Sequence, residues 1–228
     1  MRKAILLLAF ICSSSLIGQQ PGEDRWGSWH MYFGTNRISE KLSIHSEAQA
    51  RYYEQLDNFN QLLLRTGLNY HIDPNAIATF GYAYIITDAT FDEFPGDRDS
   101  KEHRIFQQFI LKNQVGKFGF EHRYRLEQRF LDFGEQTATE HRARYRLQVT
   151  LPLTKIFFLN FYDEVFMNLQ NEVFGQNRLY GALGFNMSKN LSVQAGYLKN
   201  HFPSAHFDRL QIAVFYNPDL RKKTNLVD

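Results

Sequence analysis

The chain has 228 residues, 43% of them hydrophobic and 15% aromatic, with 26 Lys and Arg against 24 Asp and Glu for a formal net charge of +2. That length suits one domain, and so small a charge supplies no global electrostatic argument for a nucleic-acid partner. The mean hydropathy of −0.43 excludes a helical membrane bundle, and no segment after the N-terminus approaches the ~20 apolar residues that a spanning helix needs.

At the N-terminus, Arg2 and Lys3 precede the apolar run Ala4–Ile11, and the small residues Ser13–Ser15 and Gly18 come before Gln19. This order reads as a cleaved secretory signal over 1–18, leaving 19–228 as a single domain, with a buried N-terminal helix as the alternative. Leu16 is a poor residue three before the cut, so the cleavage position is approximate. The only cysteine, Cys12, lies inside the signal, so the mature chain has no disulfide, thiol nucleophile or cysteine-bound zinc. Phe10 and Ile11 stand where a lipoprotein signal would want small residues.

Beyond the signal the chain alternates polar and apolar residues over long segments, a period of two that sends successive side chains to opposite faces of a strand. Strands are predicted at 28–37, 41–54, 61–71, 76–87, 102–114, 121–130, 140–151, 156–168, 176–186, 190–200 and 206–217. Most are longer than an ordinary strand and near the length that a tilted strand needs to cross a bilayer. The clearest case is EHRYRLEQRF (121–130), where Glu121, Arg123, Arg125, Glu127 and Arg129 share one face and His122, Tyr124, Leu126, Gln128 and Phe130 the other. In 140–151, Glu140, Arg142, Arg144 and Arg146 repeat the pattern against His141, Ala143, Tyr145 and Leu147. Asp163 falls on the otherwise apolar side of its strand.

The connections alternate between tight turns, at DPNA (73–76), QVGK (114–117), LPLTK (151–155) and MSKN (187–190), and longer polar loops at 55–60, 88–101, 131–139, 169–175 and 201–206. Short periplasmic turns and longer outer loops are the mark of an outer-membrane barrel. The expected fold is therefore an all-β, antiparallel up-and-down barrel of 10–12 strands. Strands from 41 onward number ten, and 26–37 would make eleven; an undetected partner giving twelve is preferred over an N-terminal segment packed otherwise.

The charged face is mostly Arg paired with Glu, whereas Lys gathers near turns and ends (Lys41, Lys101, Lys112, Lys117, Lys155, Lys189, Lys199, Lys222, Lys223). A confined polar interior favours the planar guanidinium, which satisfies several acceptors and carboxylates on neighbouring strands at once. The predicted lumen network comprises Glu47, Arg51, Arg65, Glu102, Arg104, Glu121, Arg123, Arg125, Glu127, Arg129, Glu140, Arg142, Arg144, Arg146, Glu164, Arg178 and Arg209. Either it closes the barrel with ion pairs, or its excess of Arg leaves a positive strip that guides anions. Trp26, Trp29, Tyr53, Phe80, Phe91, Phe130, Phe157, Phe161, Phe174 and Tyr216 lie near predicted strand ends, where interfacial girdles occur.

The series NQLLLRTGLNY (60–70), EHRIFQQ (102–108), HRYRLEQRF (122–130), RARYRL (142–147), NFYDEVF (160–166) and QNRLYGALGF (176–185) resembles the family catalogued as domain of unknown function 2490, predicted outer-membrane β-barrels. The similarity covers nearly all of the mature chain. It implies the barrel fold, bacterial outer-membrane location, the lipid bilayer and the barrel-assembly machinery as partners, and no activity. Barrels of this kind commonly finish on an aromatic residue, whereas this chain continues from Phe215 and Tyr216 through NPDLRKKTNLVD, so the last strand is expected to end near Tyr216.

No catalytic site, metal or cofactor is expected. Ser43, His45 and Glu47 share one strand face, but same-face neighbours lie about 6.5–7 Å apart, beyond hydrogen-bond reach unless the side chains lean together. The histidines at 30, 45, 71, 103, 122, 141, 201 and 206 have no metal-site spacing. The acids Asp88, Asp92, Glu93, Asp97 and Asp99 lack the EF-hand pattern. Three functional classes follow: a structural or narrow passive-transport barrel, an outer-membrane lipid-modifying hydrolase, and a secreted or periplasmic barrel with its apolar face inward around an apolar ligand.

Overall fold

The computed structural model describes residues 22–91, 99–170 and 172–221; the signal segment and Asp92, Glu93 and Asp97 lie outside the described residues. Eleven strands follow one another along the chain: β1 (Trp26–Arg37), β2 (Leu42–Tyr52), β3 (Phe59–His71), β4 (Ala76–Asp88), β5 (Asp99–Val115), β6 (Phe118–Asp132), β7 (Thr137–Pro152), β8 (Phe157–Asn168), β9 (Phe174–Asn186), β10 (Leu191–His201) and β11 (His206–Tyr216). Each pairs antiparallel with its chain neighbours, and β1 pairs with β11 to close a barrel.

The preference for twelve strands is corrected. Residues 26–37 form a full strand with β2 on one side and β11 on the other, so no further partner is needed. In an odd-stranded up-and-down barrel the first and last strands run the same way, and the closure is parallel, from Trp26↔Asp208 to Gly34↔Tyr216. Past this seam the chain stays anchored to β1: Arg37 N–H donates to Pro218 O at 2.9 Å, and Leu220 N–H to Arg37 O at 2.8 Å. The last strand ends at Tyr216, as its aromatic pair suggested.

The loop asymmetry is weaker than expected. Strands β6 and β7 run on until only 133–136 connect them, and 202–205 suffice between β10 and β11. The polar residues assigned to loops there continue the ladder, because alternation with a polar inner face leaves no compositional mark at the strand ends. The turn between β5 and β6 is the tightest, and Gly116 takes a φ of 58° there, which a glycine adopts without steric cost.

The two faces of the wall differ in chemistry. Outward stand Leu64, Leu68, Phe80, Leu126, Phe161, Leu179 and Leu183, all well exposed. Polar groups on this face satisfy one another: the Gln107 and Gln128 amides exchange bonds of 3.1 and 3.2 Å, Asn177 donates to Asp163, and Lys199 reaches Asp208 at 2.9 Å. Inward stand buried Arg, Glu, Gln and Asn. Trp29 is corrected from girdle to interior, since it is only 3% exposed and shares a face with Met31 and Phe33.

Candidate functional site: a charged lumen on aromatic supports

Because β5 to β8 carry the Arg/Glu alternation in register, their charged residues meet across strands. Glu127 pairs with Phe106 on β5 and Arg142 on β7, and Arg125 with Gln108 and Arg144. The fully buried Glu127 carboxylate accepts from Arg142 Nη2 at 2.6 Å and Arg144 Nη1 at 2.8 Å, with Arg104 and Arg125 at 3.5 and 3.6 Å. Glu164 holds Arg123 at 2.7 Å and Arg144 at 2.8 Å. Glu102 holds Arg104 at 2.6 Å and Arg129 at 2.9 Å, and Arg129 extends to Glu140 at 2.5 Å. Glu121 accepts from Arg146 at 2.6 Å and has Lys112 at 3.7 Å. On β2, Glu47 takes Arg65 at 2.7 Å.

Aromatic side chains carry these guanidiniums, a layer that the search for charged positions missed. Arg65 and Arg125 stand 5.4 and 5.0 Å from the Phe106 ring centroid. Arg142, Arg144 and Arg178 stand 5.2, 4.1 and 4.6 Å from that of Phe166. Such contacts are each worth about 0.5–2 kcal/mol. Phe106 fits because Gly81 opposes it, where a Cβ would come 2.4 Å from its ring. The signal was available: Phe106 continues the parity of Glu102 and Arg104, and Phe166 that of Glu164.

Arg51, Arg178 and Arg209 share the inner face but, among the described residues, do not pair with glutamate. Arg51 donates to Gln49 at 3.1 and 2.5 Å and to Gln61 at 2.6 Å. Arg178 donates to Gln176, whose amide accepts Nε at 2.9 Å and Nη2 at 3.1 Å when its oxygen faces the guanidinium. Arg209 donates to the carbonyls of Arg25 and Asp208 at 3.2 and 3.0 Å. Of the predicted network, six glutamates and eight arginines come together in ion pairs, apart from these three arginines.

Around the network lies a cavity of about 760 Å³ whose lining runs from Asn60, Thr87 and Ser100 at the loop rim to Ser192 and Asn217 at the turn rim. Its lower part shows that same-strand neighbours do lean together: His45 Nε2 is 3.0 Å from Glu47 Oε2. Ser43 bonds instead to His71 Nε2 of β3, at 2.8 Å. Among the described residues no carboxylate bonds to His71, so the serine has no oriented base of the triad kind. No group of three or more His, Cys, Asp or Glu among the described residues could hold a metal ion.

The fold is similar to that of the structure titled NanC porin, at 9% identity and a TM-score of 0.53, covering 83% of this chain and 97% of that one. A siderophore receptor, PirA from Pseudomonas aeruginosa, matches at 10% identity and a TM-score of 0.33, over 76% of this chain and 34% of the receptor. At these identities the likeness is one of fold alone. No curated protein matches. A family model described as "Protein of unknown function (DUF2490)" matches residues 26–211, most of the chain, and the protein belongs to that family.

Proposed function

We propose that the protein is an outer-membrane barrel, exported by its N-terminal signal, whose polar interior is a narrow passive path for small solutes. The observation that carries this reading is the inversion of polarity: the apolar residues face outward and the buried charges face a cavity. In water such an outer wall would leave many large side chains exposed without compensation, whereas in a bilayer it is the stable arrangement. Strands of 11 to 17 residues meet or exceed the ~9–11 needed to span the hydrocarbon core. A soluble barrel around an apolar ligand is disfavoured by the same inversion.

Transport is preferred over a purely structural role because the cavity lining reaches both rims. Eleven strands also exceed the eight whose side chains fill a barrel and fall short of the 16–18 of wide porins. The expected outcome is that the protein fractionates with outer membranes and migrates faster in SDS before boiling than after. Purified protein in a planar bilayer then gives small, discrete conductance steps. Detergent-free solubility with no mobility shift would overturn the membrane reading; a heat-modifiable barrel that passes no ions or small solutes would overturn transport alone.

A further inference from the structure

Two of the arginines without a carboxylate partner stand together. The guanidinium carbons of Arg51 and Arg178 stand 4.0 and 4.7 Å from the centroid of one ring, that of Trp29. Two like charges share this support, and among the described residues their hydrogen bonds reach only the neutral amides of Gln49, Gln61 and Gln176. Buried charges are ordinarily paired, since desolvation otherwise goes uncompensated.

Two further donors gather at the same wall. Among the described residues Trp29 Nε1 is buried without a hydrogen-bond partner and Tyr180 Oη has only the Gln211 amide nearby, and both residues belong to one packed cluster lining the cavity. Buried polar groups are seldom left unsatisfied, and those that are call for an absent partner. Two cationic forks and two neutral donors, with no anionic acceptor among them, are complementary to an oxyanion. From this we infer that Arg51, Arg178, Trp29 and Tyr180 form a subsite for the carboxylate or phosphate group of a small anionic solute. The inference rests on the reading of the interior as a solute path and adds to it a position and a substrate class. A bound anion displaces neutral amide contacts there rather than an internal carboxylate, so it has no buried ion pair to break.

Trp26 and Trp29 are the only tryptophans, and Trp26 stands exposed outside the subsite, so Trp26→Phe leaves Trp29 as sole reporter. The full chain carrying this change, folded in detergent, is titrated at low salt with benzoate, inorganic phosphate and uncharged benzamide. Benzoate or phosphate is expected to give a saturable change in Trp29 emission, and benzamide none. A response to benzoate only assigns a carboxylate ligand, and one to phosphate only a phosphate ligand. Arg178→Gln and Arg51→Gln, checked for heat-modifiable mobility, are expected to weaken binding at least tenfold. If either fails to fold, Arg178→Lys and Arg51→Lys, which keep the charge but lose the planar fork, are expected to weaken it as much.

The inference is overturned by the lack of a saturable response to both anions, by an equal response to benzamide, or by unchanged affinity in the folded variants. The readout is independent of conductance. Binding without conductance would sink the transport reading and leave the subsite, and conductance without an anion response would do the reverse.

Discussion

The two sides of the lumen treat the same residue type differently. On β5 to β8, Glu102, Glu121, Glu127 and Glu164 each hold at least two cations, and the guanidiniums interlock with little freedom. On the wall formed by β9, β10, β11, β1 and β2, Arg51, Arg178 and Arg209 bond to amides and carbonyls. Removing a partner from the first side would strand a buried charge. On the second side the one inward glutamate, Glu47 of β2, is held by Arg65 of β3, so removing Arg51, Arg178 or Arg209 strands no carboxylate. Under the proposed reading the paired side holds the barrel together and the unpaired side is where a solute competes for donors.

The sharpest way to break the comparison is Glu127→Ala, which leaves Arg142 and Arg144 without their shared acceptor and is expected to cost about 3–5 kcal/mol. The shift of the denaturant midpoint of the lipid-inserted barrel measures it, and a change below about 1 kcal/mol would mean that the network is not structural. Next is Leu126→Arg, on the outer side of the same strand, where Leu126 is 49% exposed. It is expected to destabilise by about 2–4 kcal/mol if this face meets hydrocarbon, and by no more than about 0.5 kcal/mol if it meets water.

Arg178→Gln sharpens the contrast from the other side. It removes stacking on Trp29 and Phe166 but orphans no carboxylate, so a stability change no larger than about 2 kcal/mol is expected. Its effect should appear in the reversal potential of a salt gradient across a bilayer, which moves toward cations as the lumen loses positive charge. The smallest effect belongs to Asp219→Asn, outside the barrel wall. Asp219 accepts from Arg221 Nε at 2.8 Å, and this bond lowers its carboxyl pKa to about 2. A lowered carboxylate pKa means that the pair persists at neutral pH and is lost only as the pH falls through about 2. Both groups are solvent-exposed, so an NMR titration should find the low pKa while the unfolding midpoint stays put.

Much of this was legible beforehand, and what was missed has identifiable causes. The strand from Glu121 to Phe130 could be read because its charges recur at every second position, and the same rule put Glu164 and Asp163 on opposite faces. Trp29 was misplaced because proximity to a strand end was weighed above parity, although it lies an even number of residues from Met31 and Phe33 on the inner face. The loop expected over 131–139 is too long because Asp132, Thr137 and Thr139 look like loop residues while serving as inward or outward strand positions. The failure of Arg178 and Arg209 to find glutamates could not be read at all. Arg178 stands opposite Glu164 in register, yet that carboxylate is taken by Arg123 and Arg144.

Alternation by itself determined that these residues form strands and which side chains share a face, since a pleated backbone sends odd and even positions to opposite sides whatever lies around it. The tertiary structure decided the rest: that β1 closes the barrel parallel to β11 and that, among the described residues, six carboxylates of the lumen go to eight arginines while Arg51, Arg178 and Arg209 go without. Those outcomes depend on the register between strands and on competition for each acceptor across the lumen, and both arise only when distant segments meet.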